Sequence, residues 1–308
     1  MRTEVVQKID KVAELLLQSD ALLFTSGAGM SANSGLSTFQ GKAAAIWPPL
    51  LQEPKMNYMD IVTPDWFSKP EGNNAKRDTV NFAYAFWINR YNEYKSTVPH
   101  QGYSITKQWS ELNHIKLAHS FTSNIDGHWI KASWNESSVF ECHGSIHYMQ
   151  CMYNCRDRAW PTNNHLQLQV DSKTNCVVDP LPKCSDCNQY ARPNVLMFND
   201  WHFAGQIYNQ QFVRYNQFKA NLLEAKARLL IIEIGAGPTV PSVRSESERI
   251  LTDNQLTVHL VRINPTVEHS KINESIRNKS KGQSIEIAMD ALKALTLIDQ
   301  AIKKKLKK

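Results

Sequence analysis

Four short apolar runs, each ending in a glycine or polar cluster, limit what this chain can fold into more than any other feature. They are Ala21-Leu22-Leu23-Phe24, residues 115–121, residues 228–234 and residues 257–263. Apolar runs of this length, bounded by turn residues, read as buried strands. The segments between them have helical period. Residues 4–19 place Val5, Ile9, Val12, Leu15 and Leu16 on one face, and helical patterns recur at about 74–96, 101–113, 208–227 and 284–303. Strands alternating with helices predict an α/β fold: a doubly wound parallel sheet covered by helices on both faces. In such sheets ligands bind outside the carboxyl ends of the strands.

Those ends are where the clusters fall. The first strand runs into Thr25-Ser26-Gly27-Ala28-Gly29-Met30-Ser31, the second into Thr122-Ser123-Asn124-Ile125-Asp126-Gly127, the third into Gly235-Ala236-Gly237-Pro238 and the fourth into Asn264-Pro265. A strand, a glycine turn and a helix let backbone N–H groups meet a diphosphate at the helix N-terminus. Alone, the first cluster also reads as a plain tight turn. The fingerprint G-x-G-x-x-G is incomplete, because Ala32 takes its third glycine position. The convergence of four such clusters points to a nucleotide.

A second constraint comes from the cysteines. Cys151 and Cys155 form a C-x3-C pair, and Cys184 and Cys187 a C-x2-C pair. Two such turns can aim four thiolates at one tetrahedral zinc ion, leaving no open position, so the site is expected to be structural. The polar segment 156–183 between them, with Pro161, Pro180 and Pro182, is too poor in apolar residues to bury a core unaided. Two disulfides or four free thiols are the alternatives. The opening residues, Met1 to Lys11, carry charges and no apolar signal region. A reducing cytoplasm is therefore expected, which disfavours disulfides. Cys176 lies between the pairs as a competing ligand, and Cys142 reads as a small packing residue. Eight residues before Cys151 stands His143, in Glu141-Cys142-His143-Gly144, a candidate general base or an ordinary turn histidine.

Taken in order, these motifs resemble the sirtuin family, as a divergent member of bacterial type. The family pattern G-A-G-x-S-x-x-S-G-I-P-D-F-R-G corresponds to Gly27 through Gly41, T-Q-N-I-D to Thr122 through Asp126, and the catalytic H-G to His143-Gly144. R-P-x-V-V-x-F-G-E corresponds to Arg192 through Asp200, G-T-S to Gly235-Ala236-Gly237, and I-N to Ile263-Asn264. The order holds over residues 8–300. The resemblance implies a Rossmann-like lobe at about 1–40, 115–147 and 195–308, a zinc lobe inserted at about 148–192, and a helical insertion at about 42–112. It implies an NAD-dependent protein-lysine deacylase that releases nicotinamide and 2′-O-acyl-ADP-ribose. His143 would be the general base on the nicotinamide ribose. Asn124 and Asp126 would order the nicotinamide end, with Ser123 and Ile125 beside them. Gly27, Ala28, Gly29 and Ser31 would line the diphosphate, Phe39 and Gln40 would cover the cofactor, and Gly235, Ala236, Gly237 and Asn264 would hold the adenosine side. Val195, Leu196, Met197 and Phe198 would offer a backbone edge to an extended acyl-lysine peptide, or simply form a buried strand. Trp87 and Arg90 match a Tyr-x-x-Arg pair that binds acidic acyl groups; a solvated or ion-paired helix arginine is the alternative. Cys151, Cys155, Cys184 and Cys187 would hold the zinc.

The departures concentrate in one segment. Ser37, Thr38 and Gln40 replace a proline, an aspartate and an arginine of the family. Losing a carboxylate and an arginine fork together removes charged hydrogen bonds. Weakened or reorganised NAD binding with retained chemistry is expected. An ADP-ribosyltransferase or NAD glycohydrolase is the first alternative, and a non-catalytic NAD- and peptide-binding module the second. The net charge is +6, and five lysines of it lie in the tail from Lys303 to Lys308. No nucleic-acid reader is implied, and no apolar run reaches transmembrane length.

Overall fold

The computed structural model describes residues 3–38, 58–67, 79–163, 165–253 and 255–307. Its centre is strand β1 (Ala21–Ser26), buried along its whole length. Side chains alternate across a strand, and here both faces are apolar. Leu22 and Phe24 enter one core, while Ala21 and Leu23 enter another on the opposite face. The same division recurs in β9 (Leu229–Ile234): Leu230, Ile232 and Ile234 on one side, Leu229 and Ile231 on the other. A sheet apolar on both faces must be covered twice. Helices Thr3–Gln18, Gln101–Ser110 and Ala291–Leu306 cover the first face, and Gln206–Glu224 and Ser242–Leu251 the second.

The sheet has six parallel strands in the order β11-β10-β9-β1-β2-β3. The remaining members are β2 (Leu117–Thr122), β3 (Val139–Glu141), β10 (Val258–Ile263) and β11 (Ser284–Ile287). Ser26 lies level with Thr122 on one side and Ile234 on the other, so the carboxyl ends share one edge. Between β3 and β9 the chain leaves to build a smaller lobe. There β4 (Gly144–Cys151) is flanked by β5 (Ala159–Pro161) and β8 (Ala191–Val195), beside a hairpin of β6 (Val170–Asp171) and β7 (Cys176–Val177). Helix Thr79–Ser96 packs on this lobe through Phe82, Tyr84, Phe86 and Trp87. Among the described residues no helix is long and apolar enough to cross a membrane.

Three expectations change. Residues 284–287 are strand β11, and the last helix starts only at Ala291, where Asp290 caps it by accepting from the Lys293 N–H at 3.0 Å. The alternation of Ile285 and Ile287 belongs to a strand, and helical period begins after the cap. Helix Gln101–Ser110 packs through Tyr103, Ile105 and Trp109 against the main sheet's core, so it departs from the helical insertion at about 42–112. The smaller lobe starts at Gly144, because β4 pairs with β8 from that residue. Residues 39–57 and 68–78 lie outside the described residues.

Two chain turns close over the sheet edge. The Gly29 N–H donates to the Gly235 carbonyl at 3.0 Å, and a Cβ on Gly29 would lie 2.6 Å from the Gly235 Cα. Gly235 has φ +64, the left-handed region that glycine enters without cost. Deeper in the same corner, Arg262 forks onto Glu233 at 2.6 and 3.0 Å and reaches Glu248 on helix Ser242–Leu251 at 2.8 Å. Removing one partner of such a buried set leaves an uncompensated charge. For the glycine contact, Gly29→Ala is expected to cost about 1–3 kcal/mol through overpacking. A urea melt should show a lower midpoint at unchanged slope.

Candidate active site and metal centre

The loops at the shared strand edge bring most of the expected residues together. Helix Ala28–Ala32 follows β1 directly, and its Ser31 is buried at the centre of a polar network. Ser31 Oγ donates to Asp126 Oδ2 at 2.5 Å. A hydroxyl has one proton, so the contact of Tyr103 Oη with Ser31 Oγ at 2.8 Å has tyrosine as the donor. Asn124 Nδ2 donates to the Gly27 carbonyl at 3.0 Å and to Ser31 Oγ at 3.2 Å. Asp126 Oδ1 accepts from the His128 N–H at 2.9 Å. Burial, and then the carboxylate of Asp126, push the Tyr103 phenol well above its ordinary value, which keeps it a donor. Asn124 and Asp126 are thus fixed before any ligand arrives, one tied to the glycine turn and the other to the base of helix His128–Lys131.

Asn264 follows β10 and is buried. It donates to the Ala236 carbonyl at 3.1 Å and accepts from the Thr266 N–H at 3.0 Å, so it holds the Gly235-Ala236-Gly237 turn in place. Ser123 is half-buried, and Ile125 packs toward the smaller lobe. Phe39 and Gln40 lie outside the described residues, which end this segment at Thr38.

His143 leaves β3 and enters β4 one residue later, where Gly144 has φ +73 and a Cβ would lie 2.2 Å from the Asn194 carbonyl oxygen. The ring is half-buried, with Nε2 at 3.0 Å from Ser242 Oγ. Burial lowers its pKa below the ordinary imidazole value, against a hydrogen bond to the Ser123 main chain that favours the charged form. The ring is therefore neutral near pH 7 and able to accept a proton. It stands on the wall of a cavity of 580 Å³ together with Leu196, Phe203, Tyr208, Phe212 and Ser242. That volume lies within the range of small-molecule sites.

The expected peptide edge is split between rim and core. Val195 pairs with Gly144 and is buried, as is Met197, while Leu196 is exposed. The Leu196 N–H donates to the His143 carbonyl at 2.9 Å, and the Phe198 N–H to the Val62 carbonyl at 3.0 Å. Beneath this rim Arg192 Nη2 donates to both carboxylate oxygens of Asp200, at 2.7 and 2.8 Å, with both side chains fully buried. Asp200 also accepts from the His202 N–H at 3.1 Å. The rim is thus tied down by a buried ion pair and main-chain hydrogen bonds. Trp87 and Arg90 fare differently. Trp87 is buried in the smaller lobe's core, and Arg90 pairs with Glu93 and lies 5.6 Å from the Tyr94 ring centre. The geometry favours the ion-paired helix arginine over an acyl-anion receptor, because an incoming carboxylate would have to displace Glu93.

The cysteines converge. Cys151 ends β4, Cys184 and Cys187 sit on the turn before β8, and the four sulfurs lie within 4.8 Å of one another. Cys151 and Cys187 are 3.5 Å apart, and Cys155 and Cys184 3.7 Å. Tetrahedral zinc–sulfur bonds of about 2.3 Å place sulfurs roughly 3.8 Å apart. The set therefore fits one structural zinc, with no need for Cys176. Arg158 and Arg156 meet Asp186 across the two cysteine turns at 3.0 and 3.7 Å. Cys142 is buried, and its thiol is pushed up by that burial. It is a packing residue.

Sequence reasoning overlooked Ser242 and Tyr103. Neither carries a motif: Ser242 lies past the third cluster, and Tyr103 is one aromatic among many on a helix.

With this geometry in view, comparisons with known proteins are specific. The sequence profile of the Sir2 family matches residues 27–219, more than half of the chain. Among curated proteins, an NAD-dependent deacetylase sir2E of Dictyostelium discoideum is 23% identical over 66% of this chain and 57% of its own length. A probable bifunctional ADP-ribose hydrolase/ADP-ribosyltransferase of Fusarium oxysporum f. sp. cubense is 25% identical over 81% of this chain and 41% of its own. The chain thus spans about half the length of these relatives. A crystal structure of a Sir2 homolog–NAD complex shares the fold at a TM-score of 0.65 and 18% identity, covering 96% of this chain and 94% of that one.

The metal centre gives a direct test. Elemental analysis is expected to find a single zinc per chain, and Cys184→Ser to lose most of it. Chelation at neutral pH should lower the thermal midpoint, and added zinc should restore it.

Proposed function

The chain belongs to the Sir2 family, and from that premise we propose that it is an NAD-dependent protein-lysine deacylase acting on acylated lysine in a protein or peptide. One observation carries the reading. A neutral, half-buried histidine, His143, lines a cavity just after β3, and the neighbouring strand β2 delivers a pre-ordered amide and carboxylate, Asn124 and Asp126, at the same sheet edge. NAD is consumed in such a reaction and is therefore a substrate. The glycine turns at Gly27 to Gly29 and Gly235 to Gly237 suit its diphosphate and adenosine side, and Asn124 and Asp126 suit its nicotinamide end. His143 takes a proton from a ribose hydroxyl, a task for which an imidazole below its ordinary pKa is ready at neutral pH. The acyl-lysine enters past Leu196, the exposed residue of the rim. Products are nicotinamide, 2′-O-acyl-ADP-ribose and free lysine. A cytoplasmic location fits the free cysteines of the metal site.

The Fusarium relative's name, together with Ser37 and Thr38 at the rewritten segment, favours one alternative outcome: transfer of ADP-ribose to another acceptor. Mass spectrometry of protein, NAD and acylated peptides separates the two. Acyl-ADP-ribose formed only with peptide supports deacylation; free ADP-ribose or a protein adduct supports transfer. His143→Ala is expected to lower peptide turnover by roughly 10²–10⁴-fold, the usual contribution of a general base. The acid limb of kcat/KM should lie below about 6.5, the ordinary imidazole value, because the lowered pKa keeps the ring unprotonated further down the scale. A limb above that value would argue against His143 as the base. Isothermal titration is expected to show weak but measurable NAD binding.

A further inference from the structure

The group that meets the base is a serine 99 residues further along the chain, with its Oγ 3.0 Å from His143 Nε2. Ser242 is the first residue of helix Ser242–Leu251. The N-cap position belongs to Pro241, so Ser242 stands one residue inside the helix and its hydroxyl has no cap to supply. That hydroxyl meets the ring. The helix that carries it is anchored independently: Arg262 reaches Glu248 at 2.8 Å, and Arg244 donates to the His269 and Lys271 carbonyls at 2.9 and 3.1 Å. Ser242 therefore approaches His143 from a fixed wall, and both line the same cavity.

The Ser123 main chain favours the charged form of the ring, as a carbonyl facing a ring N–H does. With Nε2 directed at the serine, that proton sits on Nδ1, and Nε2 presents its lone pair. Ser242 is then the donor.

We propose that Ser242 is the positioning residue of the base: its O–H donates to His143 Nε2, fixes the lone pair toward the cavity, and gives it up when a substrate hydroxyl arrives. The last clause rests on the deacylase reading; the hydrogen bond and its donor do not. The site is neither a cap nor a packing contact. It is a polar latch between the loop after β3 and the helix after β9, closed at the atom on which the proton is to be received.

Other charged and titratable groups surround the pair and must be kept apart from it. Glu141 and Cys142 precede His143, Tyr208, Tyr215 and Lys219 face the cavity from helix Gln206–Glu224, and Glu246 and Arg249 face it from Ser242's own helix. Burial pushes the Cys142 thiol and the two phenols up, so they stay neutral. Against its burial, hydrogen bonds from Arg249 and Tyr215 hold Glu246 low. Glu141 is the exception: burial raises its carboxyl to about 7, so it titrates in the window of interest.

The experiment uses the full, zinc-loaded chain without NAD. The His143 ring nitrogens are followed by 15N NMR across pH in the wild type, Ser242→Ala and Ser242→Thr, and again with Glu141→Gln in each. A donor to Nε2 favours the neutral ring, so removing it raises the pKa. Loss of one neutral hydrogen bond changes the protonation constant about fivefold, or roughly 0.7 pH units upward. Ser242→Thr keeps the hydroxyl and should stay near the wild type, and Glu141→Gln should leave the difference in place. The acid limb of kcat/KM for an acyl peptide should move up with the ring in Ser242→Ala, with the KM for NAD little changed. An unchanged or lowered His143 pKa in Ser242→Ala overturns the proposal, as does a loss of rate equal at every pH. If the ring shifts as expected while no acyl peptide turns over even in the wild type, the latch stands and the deacylase reading falls.

Discussion

The structure depends on the two-sided burial of its central strands. β1 and β9 have no polar face to give to water, so helices must cover the sheet on both sides. That covering forces every crossover to return the chain in the same direction, and so every strand to end at the same edge. Hydrophobic burial, which has no directional preference, thereby creates a directional result. The polar loops cannot scatter; they are delivered side by side. Gly27, Asn124, His143, Gly235 and Asn264, spread across more than two hundred residues of chain, become neighbours because of what lies beneath them.

The delivered loops are then fixed by hydrogen bonds among themselves. Ser31 shares its one proton with Asp126 and accepts from Tyr103 and Asn124. Asn264 spends its amide on the neighbouring turn. Such contacts remove rotamer freedom before binding, which lowers the ordering cost of a ligand. The smaller lobe is held in another way. Its hairpin and turns bury less, so four thiolates around one metal and the buried Arg192–Asp200 pair supply the order. His143 stands between these two regimes, with a packed sheet behind it and a cross-linked lobe ahead.

Much of this was legible in the chain because its causes are local. Apolar runs announced β1, β2, β9 and β10, and cysteine spacing announced the metal centre. What escaped had non-local causes. β3 is three residues long and is a strand only because β2 lies beside it. β11 carries half of an alternation that merges into the following helix until Asp290 is seen as its cap. The sequence leaves Arg90 open to two readings, an anion receptor or a solvated or ion-paired helix arginine; the pairing with Glu93, one turn on, is a contact that sequence alone could not set against a ligand. Ser242 and Tyr103 became visible only when the fold brought them to His143 and Ser31. A hydroxyl carries no pattern of its own, and its role is set by what the fold places opposite.

The contact between Gly29 and Gly235 bears on how the glycine motifs should be interpreted. Each is obliged to lack a side chain by the backbone of the other, whatever ligand lies above them. A descendant that had lost all chemistry would still be bound to keep both. The glycines are thus a record of packing, and they carry no testimony about turnover. That testimony belongs to atoms whose fold-given partner is expendable, and the Nε2 of His143 is such an atom.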